Sequence, residues 1–271
     1  MSNSSQAAQA GPVLLETVQD GVATLVMNRP DRLNALNNEL SAALNNALAR
    51  VAEDQSVRVV LITGAGRAFC AGGDLALIGK GRTTGATQSL EPLLRSGMQA
   101  VLRMRSMPQP VVAAVNGAAA GAGMNIALAA DIRIAAEDAT FGQNFAKVGL
   151  FPDFGGTYFL PQLVGVAKAA ELFYTGDMID AKTALQLGIV NHVVPGAELE
   201  AEGRTLAQKI MQGPPLAIQA VKKVLFGSEK KKLAEALEHE VQEQVRCYLS
   251  EDCSEGIRAF FEKRSPRFRG K

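Results

Sequence analysis

Gly64-Ala65-Gly66-Arg67-Ala68-Phe69-Cys70-Ala71-Gly72-Gly73-Asp74-Leu75 and Asn116-Gly117-Ala118-Ala119-Ala120-Gly121-Ala122-Gly123 are two small-residue turns, each directly behind an apolar run. The first run, Val57–Thr63, is nearly all apolar and reads as a strand buried on both faces. The second, Pro110–Val115, reads as another strand, and a stretch able to start a helix follows each turn. Turns of this kind leave backbone N–H groups unpaired at a helix start, where developing negative charge can bind. Two of them converging on one carbonyl oxygen make an oxyanion hole, which suits the chemistry of a thioester enolate.

Working outward, Val13–Thr17 and Val22–Asn28 form a hairpin pattern around Asp20-Gly21. Leu40, Leu44, Leu48 and Val51 recur at helical spacing behind the cap candidates Asn37 and Asn38. Lys80–Gln88 is rich in Gly and Thr and reads as a mobile surface loop. Helices are expected from Pro92 to Arg105 and from Ala122 to Ala130, with strands at Ile132–Ala136 and Thr140–Gly142. From Gly155 onward the pattern is almost wholly helical, ending in helices over Lys231–Leu249 and Glu251–Lys263. The expected organisation is a disordered start over 1–12, an α/β core over 13–195 and a helical region over 196–271.

Of the 271 residues, 47% are hydrophobic and 20% charged, enough for a sizeable core. The 28 basic and 27 acidic residues nearly cancel, which argues against the strongly basic surface of a dedicated nucleic-acid binder. Met1–Ala10 has neither the apolar run of a signal peptide nor the arginines of a transit peptide. No stretch approaches the ~18 consecutive apolar residues of a membrane span, so no membrane partner and a cytoplasmic location are expected. Cys70, Cys247 and Cys253 lack metal-ligand spacing and read as reduced thiols, and no metal site is expected. His192 falls in a strand or turn and His239 on a charged helical face, which leaves no histidine for a catalytic triad. Asp131 and Asp138 bracket a strand and read as structural, whereas Lys222-Lys223 and Lys230-Lys231-Lys232 read as solvated helix faces.

The chain resembles the crotonase superfamily, the enoyl-CoA hydratase/isomerase family, from about Val13 to its C-terminus. The resemblance rests on an ordered set of motifs: Asn28-Arg29-Pro30 with Asn34-Ala35-Leu36, the two glycine turns quoted above, Asp131-Ile132-Arg133, Phe141-Gly142 and Gly155-Gly156-Thr157. The tail Phe260-Phe261-Glu262-Lys263-Arg264 is also similar to that family's ending. It implies an α/β fold, a spiral of ββα units with a C-terminal helical trimerisation region, assembled as a homotrimer or a dimer of trimers. It also implies an acyl-CoA substrate, with coenzyme A part of that substrate and no separate cofactor. The oxyanion-hole donors map to the backbone N–H groups of Ala71 and Ala122. Substrate contacts map to Ala71, Gly72, Gly73, Asp74, Gly121, Asn125 and Phe145, and to Phe260 and Lys263 from a neighbouring subunit's tail. Arg29 has two readings, a phosphate contact or a brace for the strand end.

The departures from the family pattern narrow the chemistry. Its hydratases place two glutamates around the substrate double bond; those positions are Asn125 and Phe145 here. An amide does not accept a proton near neutral pH, and a phenyl ring cannot serve as a base. What remains is Asp153, in Gly149-Leu150-Phe151-Pro152-Asp153-Phe154-Gly155-Gly156, a stretch similar to the turn of the 1,2-epoxyphenylacetyl-CoA isomerase branch. The flanking phenylalanines would raise a carboxyl pKa and sharpen its basicity. The competing reading of Asp153 is an N-cap or Asx-turn ahead of the next helix. Adding water needs a positioned water, commonly held by two polar groups, whereas one carboxylate suffices to move a double bond. Isomerisation is therefore expected first. The alternatives are hydration with non-standard acid/base groups, nucleophilic chemistry by Asp153, and acyl-CoA binding without turnover.

Overall fold

Asp20 and Gly21 both take positive φ (50° and 78°), the left-handed geometry that closes a tight hairpin between β1 (Leu14–Gln19) and β2 (Val22–Met27). This is a computed structural model, and it describes residues 11–83, 90–227 and 230–271. The expected disordered start lies outside these except for residues 11 and 12. β2 continues in parallel with β3 (Val59–Gly64), which pairs with β5 (Val111–Val115), β7 (Ile132–Ala136) and β10 (His192–Val194) in turn. A second sheet takes β4 (Ala68–Cys70), β6 (Ala118–Ala120), β8 (Thr140–Gly142) and β9 (Met178–Asp180). From β3 to β8 each pass of the chain gives one strand to the first sheet and the next to the second, so the expected spiral of ββα units is the observed architecture.

The helices fill in between. α1 (Asn38–Glu53) is capped by Asn37, whose side chain accepts from the Leu40 N–H at 2.8 Å, and it buries Leu40, Leu44, Leu48 and Val51. α2 (Leu75–Thr83) takes up half of the loop expected over 80–88, and residues 84–89 lie outside the described residues. α3 (Leu90–Ser106) packs on α1, and α4 (Ala122–Ala129) is buried at every position. α5 (Gly156–Thr175) breaks at Gly165, which has φ 76° and ψ 159°. α6 (Ala181–Gln186) is followed by α7 (Leu199–Met211), which lies against β3 and β5 with Gly203 over Leu61. α8 (Pro215–Gly227), α9 (Lys230–Leu249) and α10 (Glu251–Phe261) complete the order, with α9 packed on both α3 and α5.

Lys222 corrects its expected solvated position. It is only 5% exposed, and its Nζ donates to Met104 O (2.7 Å) and Gln109 O (2.8 Å) while pairing with Asp131 Oδ2 at 2.8 Å. Lys223 and Lys230–Lys232 are exposed as expected. α8 thus inverts the usual pattern, burying a lysine while Leu216, Val221, Val224 and Leu225 face outward. Removing one partner of a buried ion pair leaves the other uncompensated. Lys222→Met is therefore expected to lower unfolding stability by on the order of 3 kcal/mol, read as a fall in Tm or in the denaturant midpoint.

Candidate active site

The first glycine turn leaves β4 with its amides sorted by partner. The Ala71 N–H donates to Leu33 O (3.0 Å), and the Gly72 N–H is near enough to the Cys70 thiol to oppose the rise of its pKa. Leu36 N–H donates to Gly72 O (2.7 Å) and Asp74 N–H to Leu36 O (2.9 Å), which leaves the Gly73 N–H without an acceptor among the described residues. The expectation that Ala71 offers its amide is thereby corrected: the register with Leu33 consumes it, and Gly73 is the open donor. In the second turn Gly121 has φ 52° and donates to Gly142 O at 2.8 Å. Ala122 then opens α4, and a first-turn N–H has no acceptor within its own helix. The two turns abut. A Cβ on Gly72 (φ 91°) would stand 2.8 Å from Ala120 O and 3.7 Å from Ala122 N, and one on Gly123 only 2.0 Å from Cys70 O. Small residues are required here so that the backbones can approach.

Asp153 sits in the turn between β8 and α5 and is 5% exposed. Its Oδ2 accepts from Gln244 Nε2 on α9 (3.0 Å), while Oδ1 has no partner among the described residues. Its carbonyl accepts from Asn125 Nδ2 (2.7 Å), and Asn125 Oδ1 accepts from Gln143 Nε2 (2.7 Å). The carboxylate does not cap α5. That duty falls to Glu240 on α9, which accepts from the Gly155 N–H (2.7 Å), the Thr157 N–H (3.0 Å) and the Thr157 hydroxyl. Phe154 adopts φ 53°, an uncommon conformation for an aromatic residue, with its ring seated where a side chain on Gly97 would stand.

Burial pushes the Asp153 carboxyl up to about 8; the Gln244 hydrogen bond opposes this and the nearby Glu240 charge adds to it. Burial likewise raises Glu240 to about 7 against the pull of its Thr157 and Gly155 hydrogen bonds. Both folded values lie above the unfolded ones, so the folded chain holds more protons between about pH 4 and pH 8. The stability from these groups is complete at the acid end of that window and is lost as pH rises through it. Asp153→Asn is therefore expected to match the wild type in Tm near pH 4. At pH 8 it should exceed it by on the order of 10 °C, as thermal melts across the range would show.

A cavity of about 180 Å³ joins the parts: Gly73, Gly121 and Ala122 from the two turns, with Phe145, Asp153, Gln244 and Phe260. Leu75, Ile78, Leu90, Leu93, Val148 and Leu150 supply the rest of a mostly apolar wall. Asn144 also lines it, with a buried Oδ1 that has no partner among the described residues. Ala71 borders the cavity, whereas Gly72 lies beneath Ala120. Asn125 does not line the cavity: it is fully buried behind it, its side chain spent on Asp153 and Gln143. Asp74 faces a neighbouring depression and pairs with Arg29 at 2.9 Å. Arg29 also donates to Ala35 O, so of its two readings the brace is the one observed. Phe260 lines the cavity of its own chain. Lys263 is exposed just beyond α10. Burial pushes the Cys70 thiol up to about 12, which removes it as a nucleophile. Among the described residues no cluster of His, Cys, Asp or Glu could hold a metal ion, and no helix is long and apolar enough to cross a membrane.

Glu240 and Gln244 were not singled out from the sequence, although a signal was present. Leu233, Leu237, Val241 and Tyr248 mark the buried stripe of α9, and both polar residues fall on that stripe.

Comparison with known proteins gives a consistent picture. The family model described as Enoyl-CoA hydratase/isomerase matches residues 17–271. A Rhodobacter capsulatus protein named "Probable enoyl-CoA hydratase" is 41% identical over 94% of this chain and 96% of its own length. The 1,2-epoxyphenylacetyl-CoA isomerase of Escherichia coli is 40% identical over 95% of this chain and 98% of its own. The crystal structure of an enoyl-CoA hydratase from Mycobacterium avium subsp. paratuberculosis superposes with a TM-score of 0.86 at 33% identity, covering 95% of this chain and 98% of that one.

Proposed function

The chain belongs to the enoyl-CoA hydratase/isomerase family, and from that premise we propose that it moves a carbon–carbon double bond within an acyl-CoA thioester. The observation that carries this reading is an unpartnered, buried carboxyl oxygen, Asp153 Oδ1, on a residue that lines one cavity with Gly73 and Ala122, whose N–H groups have no acceptor among the described residues. The thioester oxygen sits between the amides. Asp153 takes a proton from the carbon next to the double bond, and the electron pair shifts through the conjugated system onto that oxygen. The dienolate collapses as Asp153 returns the proton to the far carbon, so nothing is gained or lost overall. The amides are worth most at the enolate stage, when the oxygen carries the charge. A carboxyl raised by burial is the stronger base for this task. The thioester is the electron sink, so the reaction needs no metal or redox group.

The cavity suits a compact apolar acyl group, since ~150 Å³ of similar lining is enough to admit benzene. The relative named an epoxyphenylacetyl-CoA isomerase is consistent with an arylacetyl substrate. The outward apolar face of α8 supports association between copies of this chain, and the resemblance to the family suggests a homotrimer or a dimer of trimers. Hydration is the second reading, favoured by Asn144, a polar residue that lines the same cavity as Asp153 with its Oδ1 unpartnered among the described residues.

The deciding experiment supplies 3-hexenoyl-CoA and crotonyl-CoA in deuterated water. Double-bond migration with deuterium entering the acyl chain is the expected result. Hydration of crotonyl-CoA without migration would establish the second reading instead.

A further inference from the structure

Phe151 N–H donates to Gln244 Oε1 at 2.8 Å, which decides the orientation of the Gln244 amide. A nitrogen in that place would face a donor with a donor, so the oxygen belongs there and Nε2 is the end turned to Asp153. Nε2 can only donate. Asp153 Oδ2 must therefore be an acceptor whether the carboxyl is charged or neutral, and any carboxyl proton has to sit on Oδ1. Glu240, one helical turn earlier on α9, ties the Gly155 and Thr157 amides on the far side of the same turn. The catalytic turn is thus fastened to α9 at both of its shoulders.

We propose that Gln244 is a positioning residue that confines the transferable proton of Asp153 to Oδ1, so that one oxygen both takes and returns it without rotation of the carboxyl group. The inference rests on Asp153 being the acid/base. Nothing in the two glycine turns supplies this function: the base is oriented from a helix that enters more than a hundred residues later in the chain. Three ionisable groups besides Gln244's partner bear on the site: Glu240 on α9, Cys70 on β4, and Lys147 in the cavity wall, which also pairs with Asp177 at 3.5 Å. All three are unchanged in the variants below.

The test compares the full-length wild type with Gln244→Met, of similar length but unable to hydrogen-bond, and with Gln244→Glu. Turnover of 3-hexenoyl-CoA is followed against pH, and the Asp153 carboxyl is titrated directly by carbon-13 resonance in the substrate-free protein, with Asp153→Asn assigning the signal. In Gln244→Met the charged form loses a hydrogen bond. Its kcat should fall about 10- to 100-fold with KM within about threefold, and the acid limb of the profile should move up by about one pH unit. In Gln244→Glu two carboxyls share one proton, the first to leave does so more easily, and the acid limb should move down. A purely structural role would weaken both variants without moving the two limbs in opposite directions. If Gln244→Met does not fold, Gln244→Ala reads the same upward shift. An Asp153 titration that stays in place in both variants overturns the proposal while leaving Asp153 as the acid/base. A titration that moves as expected, beside a turnover profile that does not follow it, puts the failure in the assignment of Asp153, and the positioning role falls with it.

Discussion

Asp153→Asn should lower kcat for double-bond migration by about 10²- to 10⁴-fold, the usual contribution of a positioned general acid/base, while changing KM little. The variant is close to a pure removal of chemistry. Asparagine is nearly isosteric with the carboxyl, its side-chain oxygen can still accept from Gln244 Nε2, and the backbone carbonyl keeps its Asn125 hydrogen bond. What disappears is the ability to hold a proton at the cavity. Deuterium incorporation should vanish with the rate, because both report the same transfer. Retention of a tenth or more of wild-type kcat would remove Asp153 from the mechanism and send attention to Asn144 and a bound water. Since the same substitution is expected to stabilise the fold at pH 8, its loss of rate cannot be ascribed to unfolding.

Gly121→Ala should lower kcat/KM by about 10²- to 10³-fold, comparable to losing one oxyanion donor. Gly121 combines φ 52° with ψ −126°, a region that residues with a Cβ avoid; its own N–H donates to Gly142 O, and Ala122, which lines the cavity, follows it directly. An alanine must rotate the peptide that carries the Ala122 amide because of that backbone geometry, its Cβ itself only touching the Phe145 ring at 3.4 Å. A few tenths of an ångström at that amide are enough to spoil its aim at an enolate oxygen. Gly165→Ala provides the control: φ there is 76°, nothing lies within 4 Å of the added Cβ, and the residue does not line the cavity. Both variants should lose stability to backbone strain, but only Gly121→Ala should lose turnover. Equal effects on rate would show that the turn at Gly121 is a folding requirement without a catalytic one.

The parts of the fold governed by local rules were legible in the sequence. Asp20-Gly21 announces its hairpin, Asn37 its helix, and the two small-residue turns their close packing, because each depends on residues a few positions apart. The spiral arrangement followed from resemblance. Asp153 stood out because the positions of the two glutamates hold Asn125 and Phe145, yet its alternative as a cap was decided only by the docking of α9, which brings Glu240 to do the capping. Which amide of the first turn is open could not be read either: small residues show that backbones can approach, and only the hydrogen bond from Ala71 to Leu33 shows which N–H is spent. Lys222 misled for the same reason. Its burial depends on Asp131, far away in sequence, and on carbonyls at Met104 and Gln109.

The cavity is closed by elements that a ribosome makes late. Both amide turns have been translated by residue 123, whereas Glu240, Gln244 and Phe260 emerge only after a further stretch that takes on the order of ten seconds to synthesise. During that interval a nascent chain has the residues of both amide turns but lacks the α9 side chains that bond the Asp153 turn. The groups that hold the Asp153 turn are therefore among the last parts of the cavity's surroundings to be made.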